Sequence, residues 1–256
     1  MRTCKCCGFG DVVAVGTIDF NRSCMDRLGT RPFPASPIMV PYYACRRCSF
    51  VYTDLMDDWT PARFKAEIYN ADYIQADPPI PGRANVPIRE QPAYAAGLHI
   101  ADKFEGCQSA IRVLDFGSGG DPGATGLALQ ERGFLVRSYD PYRTGMSTAP
   151  EGSYELIVAI EVFEHCHDLQ ALSQFMQVHL AEEGLLWIQT MLHPHPTPPQ
   201  ILTSWYIAPR NGHISIFSLP ALTTLFRTVG INVVVTCMGV FAFKRLPRFK
   251  NAVFVG

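Results

Sequence analysis

The second half of the chain alternates short apolar runs with amphipathic stretches. Runs that predict strands lie at Arg112–Phe116, Phe134–Tyr139, Leu156–Ile160, Leu185–Thr190, Val233–Cys237 and Ala252–Val255. Stretches with helical spacing lie between them, at Leu127–Arg132, Leu169–Leu180 and Leu219–Val229. This alternation indicates parallel strands that crossover helices bury on both faces. The pattern predicts an α/β fold with a doubly wound, mostly parallel, Rossmann-like sheet, which binds its ligands at the carboxyl ends of the strands.

The first half of the chain has a different pattern. Residues 1–55 are rich in cysteine, proline and aromatic residues, and short alternating runs that begin at Asp11 and Ser49 predict hairpin strands. Residues 56–110 contain a helix start at Thr60-Pro61, a proline-rich loop after Asp77 and a helix from about Pro92 to Gly106. We therefore expect a small cysteine-rich segment at 1–55, a helical linker or lid at 56–110 and the ligand-binding sheet at 111–256.

Composition narrows the class of protein. The chain has 256 residues, of which 48% are hydrophobic and 18% charged, so it has enough apolar material for a packed core. Its net charge of −1 supplies no general attraction for nucleic acid or for an anionic membrane surface. No apolar run reaches the ~18–20 residues of a membrane-spanning helix, and the first residues lack the apolar core of a signal peptide. We expect a cytoplasmic protein with no membrane partner, and the sequence leaves its oligomeric state open.

The cysteines suggest a metal site. The chain contains nine of them, and five lie in two short clusters that include Cys4-x-x-Cys7 and Cys45-x-x-Cys48. Two such pairs complete the tetrahedral thiolate shell of Zn²⁺, with Zn–S bonds of ~2.3 Å. The four ligands leave no open position for catalysis, so we expect a structural zinc in a zinc-ribbon-like segment. Cys6 is an alternative to Cys7 as a ligand.

Glycines and acids mark a second site. Gly117 and Gly119 follow the first predicted strand of the sheet and precede a helix, so they can turn the backbone and let a ligand approach it closely. Asp140 ends the next strand, where a carboxylate of a βαβ unit binds a ribose diol. Asp115, at the tip of the first strand, suits a ligand with a positively charged amino group. These residues together predict a ligand that contains a nucleoside.

Three runs in this region resemble the motif series of class I S-adenosylmethionine-dependent methyltransferases. They are Leu114-Asp-Phe-Gly-Ser-Gly, Tyr139-Asp-Pro and Glu161-Val-Phe-Glu-His, and the resemblance covers about residues 92–256. It implies that Gly117 and Gly119 carry the methionine part of S-adenosylmethionine and that Asp140 binds its ribose. The resemblance also implies that residues from Glu161 to His165 line the reaction site.

The chain departs from this family's pattern in two places. Asp121 stands at the third glycine of the usual D-x-G-x-G-x-G motif, and Gly123 could replace that glycine. The interval from Pro141 to Ser153 leaves little room for a regular third strand or for the polar residue that usually contacts adenine. The adenine contacts therefore stay open.

The cysteine-rich segment is similar to segments in two groups of methyltransferases. One group acts in sugar and natural-product biosynthesis, and the other modifies ribosomal RNA with the help of a zinc finger. Only Lys5, Arg46 and Arg47 cluster near the cysteines, whereas each phosphate contact generally needs its own cation. We therefore expect a small-molecule acceptor, a sugar or another polyhydroxylated metabolite that is methylated on oxygen or carbon. An RNA methyltransferase and a non-catalytic, zinc-stabilised binding scaffold are the alternatives.

Two histidines are candidates for the base that a hydroxyl acceptor requires. His165 ends the Glu161-Val-Phe-Glu-His run at the tip of the predicted strand Leu156–Ile160, and His213 lies in a Gly-punctuated loop after the predicted strand Leu185–Thr190. The alternatives are that His165 only packs against the cofactor and that His213 only ties its loop to the backbone. His193 and His195 alternate with prolines, which favours a stiff connector over a metal motif.

Overall fold

The computed structural model of the protein describes residues 2–81, 83, 85–143, 146 and 148–254. The strands are β1 (Val12–Asp19), β2 (Met39–Cys45), β3 (Val51–Tyr52), β4 (Arg112–Phe116), β5 (Leu135–Tyr139), β6 (Tyr154–Ile160), β7 (Leu180–Gln189), β8 (Ser215–Ile216), β9 (Asn232–Thr236) and β10 (Gly239–Phe243). The helices are α1 (Pro61–Glu67), α2 (Tyr73–Ala76), α3 (Pro92–Lys103), α4 (Ala124–Glu131), α5 (Leu169–His179), α6 (Leu219–Arg227) and α7 (Asn251–Phe254). The chain divides into two compact units, which are described one at a time. Unit 1 contains 1–84, 163–171 and 191–225, and unit 2 contains 85–162, 172–190 and 226–256.

Unit 2 is built on a six-stranded sheet in the order β5-β4-β6-β7-β10-β9. Strands β5, β4, β6 and β7 are parallel, and β10 is antiparallel to both of its neighbours. The central strands are buried on both faces: Leu114, Leu156 and Ile157 are completely inaccessible to solvent. The predicted α/β fold with a mostly parallel, Rossmann-like sheet is confirmed.

The last predicted strand is wrong. Ala252, Val253 and Phe254 lie in the short helix α7, and Val255 is outside the described residues. A short apolar run has no periodicity that separates a strand from a buried helical turn. The antiparallel place between β7 and β9 is filled instead by β10, which the sequence did not predict, and Phe254 packs its ring against Phe241 of that strand.

The segment after β5 contains no strand among the residues described between Asp140 and Ser153. Strand β5 is therefore an edge of the sheet. Thr144, Gly145 and Ser147 are outside the described residues. The expectation that this interval is too short for a regular third strand is confirmed for the part that the structure describes.

Helix α3 packs on α4, which follows the glycine turn. A Cβ atom at Gly97 would lie 2.6 Å from the carbonyl oxygen of Thr125, so the two helices approach more closely than a larger residue allows. Tyr94, Ala124 and Ala128 form a buried cluster at this contact. Residues 85–110, which we assigned to the helical linker, are thus part of the compact unit that holds the large sheet.

Unit 1 is built on a four-stranded antiparallel sheet in the order β1-β2-β3-β8. Its last strand comes from residues far along the chain, because Val51 pairs with Ile216. Residues 163–171 and 191–225, which we placed in the sheet domain, therefore belong to the unit of the cysteine-rich segment. Helix α1 also lies in this unit and begins as predicted, since the side chain of Thr60 accepts a hydrogen bond from Arg63 N.

Candidate functional site

The glycine turn after β4 depends on two left-handed residues. Gly117 has φ of 73° and Gly119 has φ of 62°, a conformation that favours glycine. A Cβ atom at Gly117 would also lie 2.5 Å from Cγ2 of Val162, whereas one at Gly119 would meet nothing within 4 Å. Gly117 therefore lets the turn pass close to the segment after β6, and the backbone at Gly119 stays open.

The third glycine of the turn is Gly123, just before α4. A Cβ atom there would lie 2.0 Å from the carbonyl oxygen of Ser118, so no side chain fits. Asp121, at the usual place of the third glycine, is exposed. The close approach expected of a third glycine thus falls on Gly123.

Asp140 follows β5 and lies against the glycine turn. Its Oδ2 accepts a hydrogen bond from Gly119 N over 3.2 Å, and its Oδ1 accepts one from Tyr142 N over 2.9 Å. Because β4 and β5 are parallel neighbours in register, their carboxyl ends meet at one edge of the sheet. Two residues that the sequence predicts for the cofactor are thus adjacent.

Asp115 lies beneath the turn and is 3% exposed. Its Oδ2 accepts a hydrogen bond from Gly126 N over 3.0 Å, in the first turn of α4. Burial raises the pKa of this carboxyl to about 7, and the charge of Asp140 adds to the rise. We expected this carboxylate to face a ligand. In the structure its Oδ2 is bonded to the main chain of α4 and so holds that helix against the sheet.

Glu161 follows the last residue of β6 and is exposed. Its φ of 52° is uncommon for a residue with a side chain. The residue is fixed in this conformation by its main chain, because Glu161 N donates to the carbonyl oxygen of Gln189 over 2.8 Å. The chain therefore turns sharply at the carboxyl end of β6, at the point where the predicted reaction-site segment begins.

The cysteine cluster forms in unit 1 as predicted from spacing. The Sγ atoms of Cys4, Cys7, Cys45 and Cys48 all lie within 4.8 Å of one another. The Sγ atoms of Cys4 and Cys48 are 3.8 Å apart, and those of Cys7 and Cys45 are 3.6 Å apart. Four thiolates around one Zn²⁺ with bonds of ~2.3 Å stand about 3.8 Å from each other. Cys6 is not one of the four: its thiol neighbours that of Cys48 and donates to the carbonyl oxygen of Ala221.

The two cysteine pairs are presented by equivalent turns. Cys4 N donates to Phe9 O and Gly8 N donates to Cys4 O, at 2.9 and 2.7 Å. Cys45 N donates to Phe50 O and Ser49 N donates to Cys45 O, at 3.0 and 2.8 Å. The nearby thiol of Cys48 and burial raise the pKa of Cys4 well above its usual range. A cation is the partner that lets such packed thiols ionise together, so the donor set fits Zn²⁺.

His165 and His213 lie together in unit 1, with ring centroids 4.9 Å apart. The sequence did not single out a third member of this group, Glu164, although it belongs to the same Glu-Val-Phe-Glu-His run. Ligand atoms of the three side chains lie within 4.8 Å of one another, and His165 Nε2 is 3.9 Å from Glu164 Oε1. Glu164 is completely buried, and His213 is 5% exposed.

The main chain assembles this group from two distant segments. Glu164 and His165 form a short 3-10 turn after β6, and Ile214 N donates to Glu164 O over 2.9 Å. Gly212 precedes His213 with φ of 83°, and a Cβ atom there would lie 3.1 Å from His165 Nδ1. Burial lowers the pKa of His165 to about 4 and that of His213 to about 3, so both rings are neutral at pH 7.

The other histidine motif has local partners. Nδ1 of His195 lies 2.7 Å from Ser49 Oγ, and Nδ1 of His193 lies 2.8 Å from Pro194 O. Thr197 N also donates to Ser49 Oγ, so the proline-rich segment is attached to the turn after Cys48. Within the part of the chain that the structure describes, neither histidine belongs to a group that could hold a metal ion.

The segment that we considered as a lid also packs into unit 1. The ring of Tyr69 makes edge contacts with Tyr73 and with His165. Asn70 Oδ1 accepts a hydrogen bond from Arg210, whose guanidinium also donates to Ile68 O.

Among the described residues, no helix is both long enough and apolar enough to cross a membrane.

The parallel sheet, the glycine turn and the acid at the end of β5 form the arrangement that binds nucleoside-containing cofactors in α/β proteins of this kind. A family model of a methyltransferase domain matches residues 88–236, more than half of the chain. The chain therefore belongs to this family of methyltransferase domains. The match begins close to the predicted start at residue 92, and it ends at residue 236, before the predicted end at residue 256.

Solved structures with a similar fold include an O-methyltransferase family protein from Burkholderia thailandensis, at 11% identity and a TM-score of 0.43 over 59% of this chain and 55% of that one. A second is 1,6-didemethyltoxoflavin-N1-methyltransferase of the same organism, with its substrate and S-adenosylhomocysteine bound, at 16% identity and a TM-score of 0.41 over 60% of this chain and 76% of that one. A third is the mitomycin 7-O-methyltransferase MmcR, at 12% identity and a TM-score of 0.41 over 59% and 52% of the two chains. The chain spans about half the length of the first and third of these proteins. None of the curated proteins compared with the chain matches it.

Proposed function

We propose that the chain transfers the methyl group of S-adenosylmethionine to an oxygen or carbon atom of a small sugar or a similar polyhydroxylated metabolite. The observation that carries the cofactor half of this proposal is the carboxylate of Asp140 beside the glycine turn. Each of its oxygens accepts one main-chain N–H and keeps a lone pair for a ribose hydroxyl. S-adenosylmethionine supplies an electrophilic methyl group when it is bound.

The cofactor residues of the proposal are Asp115, Gly117, Gly119, Asp140 and Glu161. Gly117 and Gly119 leave the main chain of the turn accessible for the methionine part, and Asp140 holds the ribose. Asp115 acts from below, because it fixes the first turn of α4 and thereby the shape of the glycine turn. Glu161 begins the segment that leads to the acceptor residues.

The acceptor residues of the proposal are His165 and His213. Methyl transfer is an in-line displacement, so the protein mainly has to hold the acceptor atom near the methyl group and aligned with the C–S bond. Two neutral imidazoles and the carboxyl of Glu164 form a polar group inside an apolar environment, which suits a ligand that carries hydroxyl groups. His165 and His213 are therefore the side chains that we expect to contact the acceptor hydroxyl.

The charges around the cysteine cluster favour a small molecule over RNA. Lys5 Nζ donates to Asp57 over 2.7 Å, and Arg46 lies 3.8 Å from Asp11. Arg2 pairs with Asp54. A cation that is already paired with a carboxylate gains little from a phosphate contact, so this surface is poorly suited to an RNA backbone.

We also propose that Cys4, Cys7, Cys45 and Cys48 bind one structural Zn²⁺. The closed set of four thiolates and its two equivalent turns support this assignment. The ion would cross-link the end of β2 to the N-terminal turn, since Cys45 is the last residue of β2. Residues 1–55 offer little core of their own, so the metal would supply much of their stability.

The proposal is tested by calorimetry with S-adenosylmethionine, followed by assays of methyl transfer to sugars, nucleotide-linked sugars and total RNA. We expect cofactor binding and transfer to one of the sugar-type acceptors. Transfer to RNA alone would replace the proposed acceptor class. Cofactor binding without transfer to any acceptor would favour a binding scaffold, and no cofactor binding would overturn the proposal as a whole.

A further inference from the structure

The group of Glu164, His165 and His213 has the composition of an ion site. Within the described residues, only this group and the four cysteines bring three or more His, Cys, Asp or Glu ligand atoms within 4.8 Å of one another. The two groups differ in chemistry, because one offers four thiolates and the other offers two imidazoles and a carboxylate. The second set suits a divalent transition metal rather than a soft ion.

The hydrogen bonds of His213 prepare its ring for a metal. Its Nδ1 lies 2.7 Å from the carbonyl oxygen of Tyr206, which can only accept, so Nδ1 carries the proton. The lone pair of the neutral ring is therefore on Nε2. A ring N–H donated to a backbone carbonyl is the usual support of a metal-binding histidine, because it fixes both the tautomer and the ring orientation.

A second observation that points to a ligand is a ring nitrogen of His165. Its Nδ1 is buried, and none of the described residues forms a hydrogen bond with it. A buried polar atom without a partner costs roughly 1–3 kcal/mol, so such an atom in a native protein calls for an explanation. The ring is held in this place by hydrogen bonds with the main chain of Asn211 and Gly212 and by its contacts with the rings of Tyr69 and His213.

We propose that Glu164, His165 and His213 bind one divalent transition-metal ion and that hydroxyl groups of the acceptor complete its coordination. This inference rests on the proposed methyl transfer to a polyhydroxylated acceptor. Three protein ligands leave positions open for substrate, unlike the closed set of four cysteines. Two neighbouring hydroxyls of a sugar are a natural chelating pair for these positions.

The metal ion would activate the hydroxyl group of the acceptor for methyl transfer. An ion held by Glu164, His165 and His213 would lower the pKa of an acceptor hydroxyl, and the released proton would pass to water. The oxygen then forms a bond to the methyl carbon while the carbon–sulfur bond breaks, and sulfur keeps the electron pair as S-adenosylhomocysteine leaves. His165 and His213 thus act on the acceptor by holding the ion and need not store a proton themselves.

The ligand atoms have to move only a short way to close on an ion. Bonds of ~2.0–2.2 Å place ligand atoms about 3.0–3.5 Å from each other around the metal. The ligand atoms of Glu164, His165 and His213 already lie within 4.8 Å of one another. Movements of about 1 Å in three side chains are within ordinary rotamer adjustment.

The test uses Mn²⁺ binding to the full-length protein, followed by electron paramagnetic resonance. Mn²⁺ is chosen because it prefers nitrogen and oxygen ligands and competes poorly for thiolates, so the cysteine cluster can keep its zinc. We expect one Mn²⁺ per chain, with imidazole nitrogen couplings in pulsed spectra of the wild-type protein. Glu164→Gln, His165→Gln and His213→Gln should each weaken Mn²⁺ binding at least 10- to 100-fold. His179→Gln is the matched control, because His179 bonds to Gly152 O and lies outside the group.

Wild-type protein that binds no Mn²⁺, or bound Mn²⁺ without nitrogen couplings, would overturn the metal site even if every variant failed to fold. Unchanged affinity in folded Glu164→Gln and His213→Gln would overturn it too. Calorimetry with S-adenosylmethionine on the same samples separates this inference from the proposed function. Cofactor binding in a protein that binds no Mn²⁺ would sink the metal site alone, whereas absence of cofactor binding would remove the proposed function.

Discussion

The main-chain N–H of Gly119 donates a hydrogen bond to the carboxylate of Asp140 over 3.2 Å. The two residues belong to turns that follow neighbouring parallel strands, β4 and β5. Their contact joins the backbone turn that is open to a ligand with the acid that suits a ribose diol. The proposed binding of the cofactor's nucleoside part can therefore be tested by substituting single residues of these two turns.

Asp140→Ala should weaken the binding of S-adenosylmethionine by about 1.5–3 kcal/mol, because charge-assisted hydrogen bonds to the ribose hydroxyls are lost. Isothermal calorimetry should show this as a roughly 10- to 100-fold rise in Kd. Asp121→Asn is the control, since Asp121 is an exposed acid of the same turn. Equal affinities for wild type and Asp140→Ala would remove the ribose assignment.

Gly117→Ala should destabilise unit 2 and abolish cofactor binding for two reasons. The new Cβ atom would lie 2.5 Å from Cγ2 of Val162, and the alanine would have to adopt the positive φ of this position. Gly133→Ala separates the two effects, since Gly133 has φ of 87° but nothing within 4 Å of a Cβ atom. The control should lose only about 1–2 kcal/mol in chemical denaturation. Val162→Ala should restore part of the loss in Gly117→Ala, and no restoration would contradict the steric explanation.

Asp115 should make stability depend on pH. Its pKa is about 7 in the folded protein, against 3.8 for the unperturbed group, so the folded state holds a proton that the unfolded state has released between these values. Unfolding free energy should therefore fall as the pH rises from about 4 to 7, by at most about 4 kcal/mol at 1.4 kcal/mol per unit.

Asp115→Asn removes this titration and should keep the acceptor for Gly126 N. Urea unfolding of both proteins at pH 5 and at pH 7.5 measures the difference. The wild type should lose stability relative to the variant on going to the higher pH. A difference that is the same at both pH values would show that the carboxyl does not titrate in this range.

Cys48→Ser should cost the protein its zinc, because one of four thiolates is removed from the cluster. Cys6→Ser should retain the metal, since the thiol of Cys6 bonds to Ala221 O instead. Elemental analysis and proteolysis of residues 1–55 are the measurements. Zinc that is absent from the wild type, or lost equally in both variants, would contradict the assignment of the four ligands.

His213→Gln should reduce methyl transfer about 10²- to 10⁴-fold and leave the affinity for S-adenosylmethionine nearly unchanged. The reason is that His213 lies with Glu164 and His165, which we propose contact the acceptor, and not in the glycine turn. Turnover of the same acceptor by His165→Gln shows whether both rings are needed. A purely structural role would instead lower the melting temperature with little selective loss of kcat.

Much of the large sheet could be predicted because its signals are local. The apolar runs at β4 and β5 end in a glycine turn and an acid, and both the strands and their chemistry can be read within a few residues. Cys-x-x-Cys spacing is local in the same way, since each pair is made by one turn. The glycines at 117 and 119 carry their own constraint, because a positive φ belongs to the residue itself.

Tertiary structure decided the features that depend on which of several distant segments occupies a given position in the fold. Apolar character alone did not show that Val253 lies in a helix while the antiparallel place in the sheet goes to β10. It also did not show that β8 completes the sheet of the cysteine-rich segment, because strand pairing depends on which edge the fold leaves open. Cys6 and Cys7 are neighbours in sequence, and only the packing of the turn selects which thiol joins the cluster.

The sequence by itself determined the class of the protein: a parallel α/β sheet, a glycine turn followed by an acid on the next strand, and two cysteine pairs. Only the tertiary structure placed Asp115 beneath the turn and raised its pKa, since burial is a property of the whole fold. It also brought Glu164 and His165 to His213, across nearly fifty residues of chain, through the hydrogen bond from Ile214 N to Glu164 O. Side chains from separate segments meet only when the main chain between them has folded, which is why the sequence singled out His165 and His213 without showing that they lie together.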